Sequence, residues 1–131
     1  FNLIYIIIIK FMNILEFKSL LAQSEFTPKE ILEVLAKDVD HWVREYVAKN
    51  PNTTKEILKI LANDEIYWVR TIVAKNPSTS KETLELLSKD ENQNVRASVT
   101  KNPNIPKEIL AKDKDSWIRE LAEKNIQMKI K

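Results

Sequence analysis

The sequence predicts an all-α protein, an α-solenoid of about four two-helix units with a half-unit in front, and three observations carry that expectation. Thr27, Thr53, Thr79 and Ile105 stand 26 residues apart, and each is followed two and three positions later by Lys-Glu. A fixed period of about 20 to 50 residues is the mark of stacked repeats. Within one period apolar residues fall at helical spacing, first Ile57, Leu58, Ile60, Leu61 and Ala62, then Trp68, Val69, Ile72 and Val73. Two helices of roughly ten residues cannot bury both stripes on each other, so each unit needs its neighbours to be stable.

Within the unit 53–78, Thr53-Thr-Lys-Glu56 reads as a capping box that starts the first helix, the Thr accepting from the first turn and the Glu reaching back. Asp64 interrupts the stripe and can cap the second helix. Asn76-Pro77 ends it, because Pro disfavours the α conformation in the residue before it and Asn tolerates a left-handed cap.

Residues 1–11, FNLIYIIIIKF, do not resemble the rest. Every one of them can be written with codons of A and T alone, and Met12 follows, so the segment is read as translated upstream sequence ahead of a start at Met12. Leu3 to Ile9 falls far short of the roughly 20 apolar residues a membrane-spanning helix needs. The basic region and small-residue cleavage site of a signal peptide are missing too. Residues 12–26 form an N-terminal capping helix in which Phe17, Leu21 and Ala22 keep the phase of Val43, Val47 and Ala48, and Lys18 stands where Arg44 stands in the next unit. The repeat body follows as 27–52, 53–78, 79–104 and 105–125. The fourth unit has lost its Thr and about one turn of its first helix, since Ile105 to Arg119 spans 14 positions where Thr27 to Arg44 spans 17. Residues 126–131 read as a short tail.

Composition narrows the chemistry. The chain has no cysteine, no glycine and one histidine, His41. That excludes disulfides, thiolate metal sites, glycine-dependent phosphate loops and the nucleophile elbow, and fits a reducing compartment. The net charge is +2, but Thr27 to Asn125 carries 17 Lys and Arg against 17 Asp and Glu. A nucleic-acid binder concentrates a basic face, and a neutral body argues against one.

Recurrence within the chain singles out columns. All four arginines, Arg44, Arg70, Arg96 and Arg119, share one repeat position, whereas the 17 lysines are spread elsewhere. The preferred reading is structural, a planar guanidinium fork holding Asp38, Asp64, Asp90 or Asp113 of its own or the next unit together with loop carbonyls; the rival is a ladder gripping phosphates or acidic side chains. Trp42, Trp68 and Trp117 share a column with Asn94 and read as core between units rather than a base-stacking platform. Asn94, with Ser88 and Ser98, marks unit three as the softest. Asn50, Asn76, Asn102 and Asn125 read as a ladder bonding turn backbone. On the second helices the pairs His41 and Glu45, Tyr67 and Thr71, Gln93 and Ala97, Ser116 and Glu120 are expected to point outward. They vary from unit to unit, as a partner-reading face would, and as a free solvent face would.

The frame Asp38 to Val43-Arg44, then Val47-Ala48-Lys49-Asn50-Pro51 and a Thr-Pro helix start, resembles the leucine-rich repeat variant family and, more broadly, HEAT-like repeats. The likeness covers Thr27 to Asn125 and, loosely, the half-unit before it. It implies a right-handed superhelix of short helix pairs joined by recurring Asp and Arg. The cysteine-ligated iron–sulfur cluster of some members cannot be carried over to a chain without cysteine. HEAT-like repeats also build alkylpurine DNA glycosylases, which keeps a DNA-binding or DNA-repair protein as the alternative. The sequence is read as a cytoplasmic, non-catalytic protein-interaction module with a protein or peptide partner; no cofactor, metal, nucleic acid or membrane is expected.

Overall fold

A computed structural model describes residues 2–130, so the expectations for 1–11 and 126–131 each reach one residue beyond it, at Phe1 and Lys131. The described residues contain ten helices and no strand: α1 Leu3–Phe11, α2 Ile14–Gln23, α3 Lys29–Leu35, α4 His41–Lys49, α5 Lys55–Leu61, α6 Tyr67–Lys75, α7 Lys81–Leu87, α8 Gln93–Val99, α9 Lys107–Leu110 and α10 Ser116–Ile130. The four residues of α9 against seven in α3, α5 and α7 are the turn missing from the fourth unit.

Helix starts differ from the sequence reading at two residues, Thr53 and Asp64. Thr54, not Thr53, caps α5, its hydroxyl accepting from the Ile57 amide at 3.3 Å. Thr53 is buried and donates to the Val47 carbonyl at 2.6 Å, as Thr27 does to Leu21 and Thr79 to Val73, both at 2.6 Å. The Thr column therefore ties the end of one helix to the start of the next, and Ile105, with no hydroxyl, cannot make that bond. The capping box that is present lies at Asn13 and Glu16 in α2. Asp64 does not cap α6, whose N-cap is Ile66 with no side-chain cap; its carboxylate turns the loop before the helix instead, accepting from the Ile66 amide at 2.9 Å.

Helix ends follow the proline argument without a left-handed residue. Asn50 and Asn76 are extended, at φ −65° and ψ 129° and at φ −69° and ψ 124°, and no described residue has positive φ. Their side chains are engaged elsewhere, so the left-handed cap is not needed. At Ile126 the proline is absent and α10 runs on to Ile130, so the expected tail continues the helix.

The second helices lie against one another in order, α4 on α2, α6 on α4 and α8 on α6, while α3, α5 and α7 each touch the helix before and the helix after. Leu32, Val43, Leu58, Val69, Leu84 and Val95 are fully buried in one continuous core. Each such side chain contributes about 1.5–3 kcal/mol by leaving water. Ile60, expected in the stripe, is exposed, because Ile57, Leu58 and Leu61 already fill the inward arc of α5. Phe17 is exposed as well: it keeps the phase of Val43, but α2 has its packed neighbours on one side. Every residue from Leu3 to Lys10 of α1 is exposed.

Candidate functional site

Two polar ladders join the helix pairs, and their geometry decides which columns are framework. The Arg44 guanidinium forks the Asp64 carboxylate, Nε to Oδ2 at 2.6 Å and Nη2 to Oδ1 at 3.1 Å, and its Nη1 donates to the carbonyls of Asp38 at 2.8 Å and Val39 at 3.2 Å. Arg70 repeats this on Asp90 at 2.7 and 3.0 Å and on the carbonyls of Asp64 and Glu65. Arg96 holds Asp113 at 3.0 Å, contacts Asp115, and donates to the carbonyls of Asp90 and Glu91. The side-chain partner is thus the next unit's Asp, and the carbonyls come from the unit's own loop. Hydrogen bonding to Asp64 and Asp90 raises the Arg44 and Arg70 guanidiniums above their ordinary value, against the opposing effect of burial.

At the front edge Lys18 takes the Arg position and reaches Asp38 at 2.7 Å. Burial pushes the Asp38 carboxyl up, but Lys18, the Asp40 amide and Arg44 hold it below its ordinary value. At the other end Arg119 donates to the Asp113 carbonyl at 2.5 Å.

The Asn column runs the opposite way. Asn50 Nδ2 donates to the carbonyls of Ala22 at 2.7 Å and Ser24 at 2.9 Å, Asn76 to Ala48 at 2.7 Å, Asn102 to Ala74 at 2.8 Å, and Asn125 to Thr100 at 3.1 Å. Each of the first three also accepts through Oδ1 from the amide two residues on, at 2.9, 2.8 and 2.9 Å. A carboxylate could not donate and a leucine could do neither, which is why the amide recurs. Ser88 and Ser98, expected to soften unit three, are both buried, and among the described residues no buried side-chain nitrogen or oxygen lacks a partner.

The outward pairs are not a continuous outer row. Thr71 is only 4% exposed and returns its hydroxyl to the Tyr67 carbonyl at 2.8 Å, while Tyr67 packs against the core. His41, Glu45 and Ala97 are half-buried; Gln93, Ser116 and Glu120 are exposed. The cause is lateral packing: α6 is flanked by α4 and by α8, so its buried arc extends past Val69 and Val73 to Thr71 and Ala74.

The surface that is open lies about 100° further round each helix. Trp42, Trp68 and Trp117, expected in the core, are 54%, 55% and 43% exposed. Val43, Val69 and Ile118, the next residues along, fill the inward positions completely. The rings are ordered by their neighbours: Trp68 stacks on Tyr67 with centroids 4.7 Å apart, and Trp42 meets His41 at 4.9 Å. Four residues on come Tyr46, Ile72 and Leu121, half-buried, and Ser98, buried; three further come Lys49, Lys75, Lys101 and Lys124, and these four lysines are exposed. That Lys column stands directly before the Asn column and was open to inspection in the sequence. A lysine cannot sit in the core, and at seven residues from each Trp it shares that residue's face, so it fixes the Trp phase as outward.

Among the described residues no group of three metal-binding side chains comes together. No described helix is long and apolar enough to cross a membrane. Comparison with protein-family models, with curated proteins and with solved structures finds no match.

Proposed function

We propose that this chain is a non-catalytic protein-interaction module, a right-handed α-solenoid of about four 26-residue units related to the leucine-rich repeat variant and HEAT-like repeats, working in the cytoplasm. The observation that carries the reading is the exposed Trp row. Three indole rings stand out on the second helices α4, α6 and α10, with Asn94 in their place on α8, while the neighbouring columns are spent on the framework. Large aromatic side chains left in water on an ordered scaffold are enriched at protein-binding hot spots. The Arg and Asn ladders support the solenoid part of the reading, since the same side-chain fork recurs across a separation of 20 residues and the same amide strap across 28. The absence of cysteine and glycine supports a non-catalytic role in a reducing compartment.

The test is affinity capture from the source cell extract with three baits: the natural chain, Trp42→Ala/Trp68→Ala, and Ile60→Ala on the first-helix side. A partner retained by the first and third and lost from the second supports the module and its face. Loss that tracks Ile60→Ala alone would move the interface to the outer helices. Salt-sensitive retention on duplex DNA in the micromolar range would favour the nucleic-acid alternative, for which affinity falls steeply as salt rises.

A further inference from the structure

The same face, if it is the binding surface proposed above, carries information about what it binds. On α4, α6 and α10 a stripe runs from an exposed Trp past a half-buried Tyr46, Ile72 or Leu121 to an exposed Lys, a distance of about 10 Å at 1.5 Å per residue; at α8 the Trp place is taken by Asn94, Ser98 is buried and Lys101 follows the helix end at Val99. Across the helices it repeats once per packed helix, and packed helices stand about 8–10 Å apart. The stripe is therefore a two-row track, indoles on one side and ammonium groups on the other.

Charge is separated along this track although the body is neutral. At the Trp end, Asp115 contacts Arg96 and Asp40 accepts from the Trp42 amide at 2.8 Å, while Glu65 and Glu91 lie 3.7 Å from Arg44 and 4.0 Å from Arg70 with their side chains in water. At the other end Lys49 is held by Glu45 at 2.7 Å, but among the described residues Lys75, Lys101 and Lys124 form no ion pair. In α6 and α8 the Glu45 position is Thr71 and Ala97, so no carboxylate stands one turn back from Lys75 and Lys101, whereas Glu120 stands one turn back from Lys124. The open row is cationic and calls for anions.

Spacing selects the conformation of the ligand. A flat β-strand repeats its side chains every two residues, about 6.6 Å, and drifts out of step with helices about 9 Å apart. A polyproline II helix repeats every three residues at 3.1 Å each, about 9.3 Å, and keeps step. We infer that this face docks an acidic segment of another protein in the polyproline II conformation, placing one apolar side chain against each indole and one carboxylate against each lysine. The third position breaks the pattern: Asn94 and Ser98 replace the indole and the apolar residue, so the matching triplet carries a polar side chain where the others are apolar. At the front the track opens into a groove lined by Met12, Leu15, Leu20, Trp42 and Tyr46 together with the polar Glu16, Ser19 and Gln23, and its apolar part seats the first apolar residue.

The probe is a fluorescein-labelled peptide of four triplets, Pro-Leu-Glu in the first, second and fourth and Pro-Ser-Glu in the third, titrated with the full chain by anisotropy. Binding in the tens of micromolar is expected, at least about tenfold tighter than a scramble of the same composition or a peptide with Lys for every Glu. Trp68→Ala and Lys75→Glu should each weaken it about tenfold or more while leaving the melting temperature in place. Equal binding of the scramble or the lysine peptide, or indifference to both variants, overturns the inference. So does tighter, salt-steep binding of a short oligothymidylate, which would assign the indoles to bases and the lysines to phosphates. A natural partner lost on Trp42→Ala/Trp68→Ala with no binding of the triplet peptide would overturn this ligand class and leave the module reading standing; absence of both would remove both.

Discussion

Trp42 and Arg44 are two residues apart, recur together in the second and fourth units, and end in opposite environments. Two positions correspond to about 200° around a helix, so one side chain faces water and the other the junction between helix pairs. Arg44 is buried with its fork closed on Asp64; Trp42 is more than half exposed. Recurrence alone does not separate the two, since a column can persist because the framework or a partner needs it. Geometry separates them. Every donor direction of the Arg fork that the structure describes ends on a carboxylate or a loop carbonyl, leaving nothing to offer a ligand, whereas each indole leaves a face unclaimed.

The comparison is broken most severely by removing a guanidinium. Arg70→Met leaves the buried Asp90 carboxylate and the Asp64 and Glu65 carbonyls without their donor. An uncompensated buried charge costs about 3–5 kcal/mol, measured as a fall in urea midpoint at constant slope. A loss under about 1 kcal/mol would return the Arg column to the ligand-gripping reading. Arg70→Lys keeps the charge but closes at most one arm of the fork, so the expected loss is about 1–3 kcal/mol. The chain itself makes that exchange at Lys18, on the front edge, where the pair with Asp38 is more open to water and a single contact suffices. Arg44, Arg70 and Arg96 stand where the pair lies between two packed layers, and Arg119 at the other edge donates to its own loop carbonyl.

Asn76→Leu probes the second ladder. The Ala48 carbonyl and the Ser78 amide lose their partner, at about 1–3 kcal/mol for an unsatisfied buried group. Acid provides a milder perturbation. The Asp38 carboxyl sits below its ordinary value in the fold, while in the unfolded chain it protonates near pH 3.9, roughly as a model peptide does. Its contribution is therefore present above that pH and lost as pH falls through the folded-state value, and Asp38→Asn should flatten the acid limb of a stability–pH curve.

How much of this was legible before the structure follows from the same physics. Period, helix pairs, the short first helix of the fourth unit and the Lys18 substitution are local or self-referential signals, and the sequence repeats them. The outward face was misplaced because a single-helix wheel assumes one packed side. The second helices are packed on two, inward and sideways, and that broader arc swallowed Thr71 and turned the Trp row outward. Thr53 reads as a cap in the sequence because a hydroxyl before Lys-Glu satisfies the local pattern; its actual acceptor, Val47 O, lies across a turn whose path the pattern does not contain.

The smallest expected effect concerns the segment that shares neither ladder. The residues of α1 from Leu3 to Lys10 are all exposed, and the recurring bonds described above begin with Lys18 and Leu21. Met12 is half-buried and lines the groove beside Trp42, so it belongs to the packed body. A chain beginning at Met12 should therefore unfold within about 0.5 kcal/mol of the longer one, as surface changes that touch no packed element do. The capping box at Asn13 and Glu16 stays intact in the shorter chain, so α2 keeps its start. Paired urea titrations read the difference. A midpoint lowered by more than about 1 kcal/mol equivalent would place α1 within the stabilising framework. The shorter chain sharpens the comparison of the two columns as well: if it still binds the triplet peptide with unchanged affinity, the track begins at the groove beside Trp42 and owes nothing to the apolar helix ahead of it.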